Sequence, residues 1–222
     1  QARKATIDAR FAGGDGIVFS GGGDVTLEDM SVLNSTARGI VVEIPPGQTG
    51  VTTLRMRRMT VRRCAELGVH VDDSGGSAAG VQVDLRDVWM LNNGNDRLAN
   101  PDALRVDESG PGNVHARLLR VISEANKRNG ISLNEADDGN VLCNINRCTF
   151  ERNGSLPDPG HGIDVNESGV GTAYVQVRNS TLTTNFDDGG HVVESGDGDC
   201  IVQLGNLGIN VIGACCGSTP AH

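Results

Sequence analysis

Four side chains that could bind or act on a ligand recur at intervals of about thirty residues. His70, Arg105, Ser132 and Asp164 each stand two residues after a small residue that opens a short apolar segment. Histidine and aspartate can exchange protons with a substrate, and arginine can neutralise a carboxylate. If the fold stacks these positions, they form a shallow polar groove suited to an extended polymer; the alternative is an ordinary solvated sheet face.

A second repeated feature is acidic and follows the same segments. Carboxylates occupy the fifth position after the small residue in four consecutive repeats, namely Asp73, Glu108, Glu135 and Glu167. Carboxylates about 5 Å apart repel by roughly 3 kcal/mol at an effective dielectric near 20, so a stack favours splayed solvated side chains, raised pKa values or a cation. Because oxygen donors suit Ca²⁺, these residues are the predicted metal ligands, although the alternating aspartates of an EF-hand loop are missing.

The segments that carry both features are copies of one block. Apolar residues occupy the first and third positions after the small residue, as in Gly39-Ile40-Val41-Val42 and Gly130-Ile131-Ser132-Leu133. This two-residue period is typical of a β-strand, and helical spacing is absent. Seven such blocks begin at Gly16, Gly39, Gly68, Ala103, Gly130, Gly162 and Gly190. Their near-regular spacing is that of a solenoid repeat.

A second alternating block follows each first block after a glycine-rich turn, as in Val83, Leu85, Val88 and Met90. Like blocks stacked in register predict an all-β fold, a single-stranded right-handed parallel β-helix of about eight coils. We expect one domain over residues 1–222, with coils over about 5–213 and a short tail over 214–222.

The stacking assigns side chains to the inside or the outside of the coil. The first-position residues Ile40, Val69 and Leu104 are expected to form an interior ladder. Counted from Gly190, His191 takes an inward position and is interpreted as a core histidine. Asparagines that recur at one corner are expected to form an amide ladder; they are Asn93, Asn126 and Asn153.

The repeat resembles the pectin-lyase-like superfamily of right-handed parallel β-helices over roughly residues 5–213, and in particular the bacterial parallel β-helix repeat proteins. This resemblance implies the fold. It implies no single activity, because the superfamily includes pectate lyases, polygalacturonases, alginate epimerases, phage tailspikes and adhesins.

A partial motif is similar to polygalacturonases. Gly160-His161-Gly162 resembles their Gly-His-Gly segment, and Asn100-Pro101-Asp102 lies in register with their Asn-Thr-Asp-Gly two coils earlier. The resemblance implies that Asp102 is a catalytic carboxylate and that His161 orients it; Asp164 and Arg105 complete the candidate catalytic set. The coil between has Lys127-Arg128-Asn129 where that family has an Asp pair. The two-carboxylate inverting mechanism therefore lacks support.

Lyase chemistry is the rival route, because it needs a base and a group that neutralises the uronate carboxylate. Lys127, Arg128 and Arg105 are candidates, and they join His70 and Ser132 as the predicted binding residues. The pectate-lyase signature Arg-x-Pro-x-x-Arg is absent. Two insertions, at residues 94–101 and 154–161, extend from the same corner of the coil in turns that are two coils apart. They are either walls of a groove or plain surface loops.

Composition excludes several classes of function. The formal net charge of −9 disfavours a nucleic-acid partner, and no apolar run approaches the roughly 18 residues of a membrane span. Six cysteines are compatible with disulfides and export, with Cys200 predicted to pair with Cys215 or Cys216; buried free thiols are the alternative. A secreted or extracellular location is expected, with any targeting segment already removed.

Two functions of different classes follow from these observations. The first is an extracellular module, structural or binding a polysaccharide or protein partner, without catalysis. The second is a polysaccharide-active enzyme, either a uronate lyase or a polygalacturonase-like glycosidase. Ends that lack a covering helix favour end-to-end or homo-oligomeric association, or a piece of a longer chain.

Overall fold

The computed structural model describes residues 5–94, 101–157 and 159–209, and every regular element in these ranges is a β-strand. The strands wind into a parallel β-solenoid of about seven turns, which confirms the all-β fold class and is close to the eight coils expected. The strands form three parallel sheets, here named A, B and C. The described part of the chain contains no helix long and apolar enough to cross a membrane.

Each sheet collects every third strand of the chain. Sheet A contains β1 (Ala5–Asp8), β4 (Met30–Leu33), β7 (Thr60–Arg62), β10 (Trp89–Leu91), β13 (Ile122–Glu124), β16 (Thr149–Glu151), β19 (Thr181–Thr183) and β22 (Gly208–Ile209). Sheet B contains β2 (Ile17–Ser20), β5 (Ile40–Glu43), β8 (Val69–Asp73), β11 (Leu104–Glu108), β14 (Ile131–Glu135), β17 (Ile163–Glu167) and β20 (Gly190–Glu194). Sheet C contains β3 (Asp24–Glu28), β6 (Thr49–Arg57), β9 (Ala78–Arg86), β12 (Val114–Leu119), β15 (Val141–Asn146), β18 (Ala173–Arg178) and β21 (Cys200–Gly205).

The core is a stack of aliphatic ladders inside the coil. Ile40, Val69 and Leu104 are register partners in successive sheet B strands, and all three are fully buried. Side chains alternate between the two faces of a strand, so this row of branched aliphatic residues lies on the inner face of sheet B. The predicted interior ladder is therefore confirmed.

Glycine precedes most of the sheet B strands because two backbones approach closely there, although Ala103 occupies this position before β11. A Cβ atom on Gly68 would lie 2.5 Å from the Ala103 carbonyl oxygen, and one on Gly162 would lie 2.5 Å from that of Gly189. Neither Gly68 nor Gly162 has a positive φ. Adjacent coils can thus approach at this corner because a side chain is missing.

The corner between sheets A and B carries the expected amide ladder, and the ladder is one residue longer than predicted. Asn93 Nδ2 donates to Asn126 Oδ1 at 2.9 Å, and Asn126 Nδ2 donates to Asn153 Oδ1 at 2.9 Å. Asn153 Nδ2 then donates to Asn185 Oδ1 at 3.0 Å. Each buried amide is satisfied by the equivalent amide of the next coil, which fixes the register of the stack.

The cysteines divide into two groups. Cys64, Cys143 and Cys148 are buried thiols in the interior. The predicted bridge from Cys200 would need Cys215 or Cys216, which both lie outside the described residues.

One predicted register is wrong by a single residue. Gly190 pairs with Ile163, so His191 pairs with Asp164 and Val192 with Val165. Because side chains alternate between faces along a strand, this shift places His191 outside the coil rather than in the core. Its side chain is 29 % exposed.

Candidate functional site

The outward row of sheet B is brought together as predicted. The Cα register runs from His70 to Arg105, Ser132, Asp164 and finally His191, so the five residues stand side by side on consecutive strands. Neighbouring strands lie about 4.8 Å apart. The polar row, here called the outer row, therefore extends roughly 20 Å along the solenoid.

A second row lines the corner immediately before these strands, and its side chains cap the backbone of the next coil. Asp102 Oδ1 accepts the Asn129 backbone N–H at 2.9 Å, and Asn129 Oδ1 accepts the His161 N–H at 2.8 Å. His161 Nδ1 accepts the Asp188 N–H at 3.2 Å. Asn129, which stands where polygalacturonases have an aspartate, thus has a structural role in joining three coils.

Asp102 has one oxygen without a hydrogen-bond partner. The residue is fully buried, and no group in the described chain hydrogen-bonds to Oδ2. The nearest cation is the Arg105 guanidinium, whose Nη1 lies 3.8 Å from Oδ2. Burial raises the pKa of Asp102 to about 7, because the charged carboxylate loses its hydration. Asp102 can therefore be a neutral acid near physiological pH.

Asp164 is held on both sides by the neighbouring coils. Its Oδ1 lies 2.9 Å from His191 Nδ1, and its Oδ2 accepts a hydrogen bond from Asn129 Nδ2 at 3.2 Å. The imidazole of His161 stacks on that of His191 with ring centroids 4.5 Å apart and planes inclined by 12°. Donor atoms of His161, Asp164 and His191 all lie within 4.8 Å of one another. His161 and Asp164 were predicted site residues, whereas His191 was expected in the core.

At the other end of the outer row, His70 and Arg105 form hydrogen bonds and ion pairs with neighbouring side chains of the protein. Asp107 Oδ2 lies 2.9 Å from His70 Nε2 and 2.7 Å from Arg105 Nε. Arg38 Nη1 lies 3.3 Å from His70 Nδ1, and its Nη2 pairs with Asp15 at 2.8 Å. Burial acts to raise the pKa of Asp107, but its hydrogen bonds from His70 and Arg105 outweigh burial and lower it to about 2. His70 and Arg105 are thus occupied by internal partners.

The remaining predicted binding residues are not well placed to contact a ligand in the outer row. One is buried, and the other two lie on a loop beside the row. Ser132 is 2 % exposed, and its Oγ accepts from Asn134 Nδ2 at 3.3 Å. Lys127 and Arg128 are partly exposed on the loop before β14, and the positive charge of Arg128 acts to lower the pKa of Asp102. Two insertions were predicted as possible walls of the groove. The insertion at 94–101 lies mostly outside the described residues. In the insertion at 154–161, Gly154 and Gly160 are in close contact at the base of the loop.

The acidic ladder is inside the coil, and the expectation of an exposed ladder is wrong. Asp73, Glu108, Glu135 and Glu167 are at most 1 % exposed, and the ladder continues to Glu194. The strand continues two residues further than expected. Its first, third and fifth positions lie on the same face, so the side chain at the fifth position points inward.

Both carboxylate oxygens of Asp73 accept hydrogen bonds from Ser77, whereas the next three carboxylates of the ladder are hydrogen-bonded on one oxygen only. Glu135 Oε1 accepts the N–H groups of Asp137 and Gly139 at 3.0 and 3.2 Å, while the Oε2 atoms of Glu108, Glu135 and Glu167 have no partner. Burial, together with the adjoining carboxyl group of Glu135, raises the pKa of Glu108 to about 8 and that of Glu167 to about 7. Protons shared between stacked carboxyl groups would satisfy the unpartnered oxygens, and Ca²⁺ at the ladder stays a prediction.

A groove on the outer face of sheet C was missed by the sequence analysis. It has a volume of about 420 Å³ and is lined chiefly by basic and amide side chains; these are Arg55, Arg57, Arg86, Arg117, Arg178, Asn144, Asn146 and Gln176. We call it the arginine groove. The sequence contains a signal for this groove, because its polar side chains alternate with the inward apolar residues of the second repeated block.

The charge of the arginine groove is uncompensated at one end. Arg55 pairs with Asp24 at 3.3 Å, Arg57 with Glu28 at 3.4 Å, and Arg86 with Asp87 at 3.7 Å. Asp84 also lines the groove, in register with Arg117, and its Oδ2 lies 3.9 Å from Arg55 Nε. Within the described residues no carboxylate lies within 4.0 Å of the Arg117 or Arg178 guanidinium, and the side chains between them are amides. The end formed by Arg117 and Arg178 is a cationic patch on a chain of net charge −9.

No family model, curated protein or solved structure matches this chain. The similarity to known proteins therefore rests on the architecture, a parallel β-solenoid. What the chain does must be argued from its own side chains.

Proposed function

We propose that this protein is a non-catalytic, extracellular β-solenoid module that binds an anionic polysaccharide along the arginine groove. The observation that carries the proposal is the absence of any carboxylate partner, within the described residues, for Arg117 and Arg178. Guanidinium groups bind carboxylates and sulfates through paired, charge-assisted hydrogen bonds. Uronic-acid or sulfated sugars supply those anions.

The neutral lining of the groove suits the rest of a sugar chain. Asn144 and Gln176 follow Arg117 in the register of sheet C, on β15 and β18, and offer both donors and acceptors to hydroxyl groups. Arg117 and Arg178 are two coils apart, a separation of about 10 Å along the solenoid axis, which is comparable to the length of a disaccharide. A straight, repetitive surface matches a straight, repetitive polymer. A nucleic acid is the less favoured anion because none of the described residues that line the groove is aromatic, and single strands bind largely by stacking their bases on aromatic side chains.

Binding of defined glycans to immobilised protein tests the proposal. We expect polygalacturonate, alginate or heparin to bind, neutral dextran not to bind, and the affinity to fall with salt. The double variant Arg117→Gln/Arg178→Gln should bind at least tenfold more weakly, since each charge-assisted hydrogen bond contributes about 1.5–3 kcal/mol.

The matched control is Arg62→Gln/Arg63→Gln, which makes the same change of charge at the end of β7 on another face. It should bind the glycan like the parent protein. Equal losses in both double variants would show that binding follows net charge rather than the groove. Preference for single-stranded DNA over every glycan would overturn the choice of ligand.

A second function is favoured by a separate observation on sheet B. Asp102 combines an unpartnered buried oxygen with a pKa near 7, and Asp164, two coils away in the stack, is a second carboxylate. A neutral acid and a carboxylate base on either side of a bond are the elements of glycoside hydrolysis. Turnover of a polysaccharide that disappears in Asp102→Asn would support this alternative.

A further inference from the structure

We propose that His161, Asp164 and His191, with Asp188 beside them, form a binding site for a single divalent transition-metal ion such as Zn²⁺. This site is on sheet B, so it is independent of the arginine groove and of polysaccharide binding. Two imidazoles with one or two carboxylates form a donor set that zinc and its neighbours prefer, whereas Ca²⁺ prefers six to eight oxygens.

The geometry already brings the donor atoms close together. Donor atoms of His161, Asp164 and His191 lie within 4.8 Å of one another, and His161 also forms such a group with Asp187 and Asp188. Donor atoms around a tetrahedral zinc ion lie roughly 3.3 Å apart, given bonds of about 2.0–2.1 Å. Small rotations of side chains would therefore close the site without moving the strands.

The stacked rings form the centre of the site. His161 and His191 belong to consecutive coils, and their planes are nearly parallel at 4.5 Å. Asp164 Oδ1 lies 2.9 Å from His191 Nδ1, and Asp188 Oδ2 lies 3.8 Å from His161 Nδ1. Each imidazole thus has a carboxylate at its Nδ1 edge. An ion bound at these edges would replace the proton that His191 and Asp164 share. It would also replace the hydrogen bond that the Asp188 backbone N–H donates to His161 Nδ1.

The surroundings support the site and leave it open to solvent. Asn129 Nδ2 holds the second oxygen of Asp164, an outer hydrogen bond of the kind that fixes the orientation of a metal ligand. Side-chain exposure is 17 % for His161, 29 % for His191 and 25 % for Asp188. An ion can therefore reach the donors from the surface.

The other histidine–carboxylate pair of the outer row gives an internal contrast. His70 and Asp107 lie 2.9 Å apart, but Arg38 contacts His70 and Arg105 contacts Asp107. Two guanidinium groups repel a cation and occupy the lone pairs it would need. The pair around His191 has no such arginine contact within the described residues.

Calorimetric titration of the chelator-treated full chain with ZnCl₂ tests the proposal. We expect one Zn²⁺ per chain and no competition from excess Ca²⁺. Co²⁺ in the same site should give visible d–d absorption without a thiolate-to-cobalt charge-transfer band, because the donors are nitrogen and oxygen. The variants His191→Gln and His161→Gln should each weaken binding at least tenfold, while His70→Gln should leave it unchanged.

Asp164→Asn keeps the hydrogen-bond acceptor for His191 and tests the site where a histidine variant fails to fold. It should weaken Zn²⁺ binding, with circular dichroism unchanged. Any of three results would overturn the proposal: no Zn²⁺ bound by the full chain, equal affinity in His161→Gln/His191→Gln, or a thiolate charge-transfer band that assigns the ion to cysteines.

Discussion

Arg105 and Asp102 stand three residues apart on one coil, and the closest approach of the guanidinium to Asp102 Oδ2 is 3.8 Å. Arg105 instead donates its Nε–H to Asp107 at 2.7 Å. The arginine thus leaves the buried oxygen of Asp102 without a hydrogen bond. Because this oxygen is buried and has no hydrogen-bond partner, the neutral form of the Asp102 carboxyl group is favoured and its pKa is raised.

The first prediction concerns the effect of Asp102 on stability. The pKa of Asp102 is raised to about 7 by folding, from 3.8, so the folded state retains its proton where the unfolded state has lost it. Its contribution to the free energy of unfolding is complete below pH 4 and is lost as the pH rises through 7, by up to about 4 kcal/mol. Asp102→Asn keeps the acceptor for the Asn129 N–H and cannot ionise.

Denaturant unfolding at pH 5 and pH 8 tests this prediction. The parent protein should lose more stability between the two values than Asp102→Asn does. Asp138→Asn, an exposed change of the same type, should behave like the parent protein. Identical pH dependence in Asp102→Asn and the parent would contradict the assignment of Asp102 as a buried acid.

The second prediction concerns the interior carboxyl ladder. Burial raises the pKa of Glu108 to about 8 and that of Glu167 to about 7, and the carboxyl group of Glu135, which stands between them in the stack, adds to the rise. Protons held by these groups stabilise the fold below about pH 4.5, and the stabilisation is lost as the pH rises through 7 to 8, by about 1.4 kcal/mol per pH unit for each retained proton. Glu135→Gln removes the ionisable group at the centre of the ladder and keeps Oε1 as an acceptor.

Thermal melts followed by circular dichroism from pH 5 to pH 9 provide the measurement. We expect the Tm of the parent to fall with pH and that of Glu135→Gln to fall less. Repeating the melts with Ca²⁺ and with chelator separates the two interpretations of the ladder. A Tm at pH 8 that rises with Ca²⁺ and falls with chelator would favour the predicted calcium site over shared protons.

The repeat predicted the strands well because the first and third positions after the small residue are apolar in nearly every coil. The last coil was misread because Gly189 and Gly190 are both candidates for the small residue, and a shift of one position reverses the direction of every side chain. His191 was thereby placed inside. Its partnership with Asp164 depends on a register that the local sequence leaves ambiguous.

The acidic ladder illustrates a different limit. The alternation of side chains along a strand places Glu108 and Glu135 inward. Burying carboxylates costs free energy, and this cost favoured the expectation of an exposed row. The cost is offset by turns whose N–H groups point inward, as at Gly110 and Gly139. The directions of these N–H groups depend on the tertiary path of each turn, and the local sequence does not reveal them.

The third prediction concerns the amide ladder at the corner of sheets A and B. Asn126 Oδ1 accepts from Asn93, and its Nδ2 contacts Asn153, Ser123 and the Met90 carbonyl oxygen. Asn126→Ala would leave several buried groups unsatisfied, so the free energy of unfolding should fall by about 3 kcal/mol.

Asn144→Ala is the matched control, because Asn144 is half-exposed on the outer face of sheet C. Its cost should stay below about 1 kcal/mol. Equal losses in urea denaturation would show that the ladder contributes no more than an outward asparagine.

The fourth prediction separates the binding module from the enzyme. Assays for unsaturated uronates and for reducing ends, on polygalacturonate and alginate with Ca²⁺, with Zn²⁺ or with chelator, should detect no turnover. The physical reason is that Asp102 is fully buried, that Asp164 is held by Asn129 and His191, and that Arg105 is held by Asp107 rather than free to neutralise a substrate. Turnover that is lost in both Asp102→Asn and Arg105→Gln, and kept in Arg117→Gln/Arg178→Gln, would place catalysis on sheet B and refute the non-catalytic assignment. Turnover unaffected by all of these variants would point to a contaminating enzyme and leave the prediction of an inactive module standing.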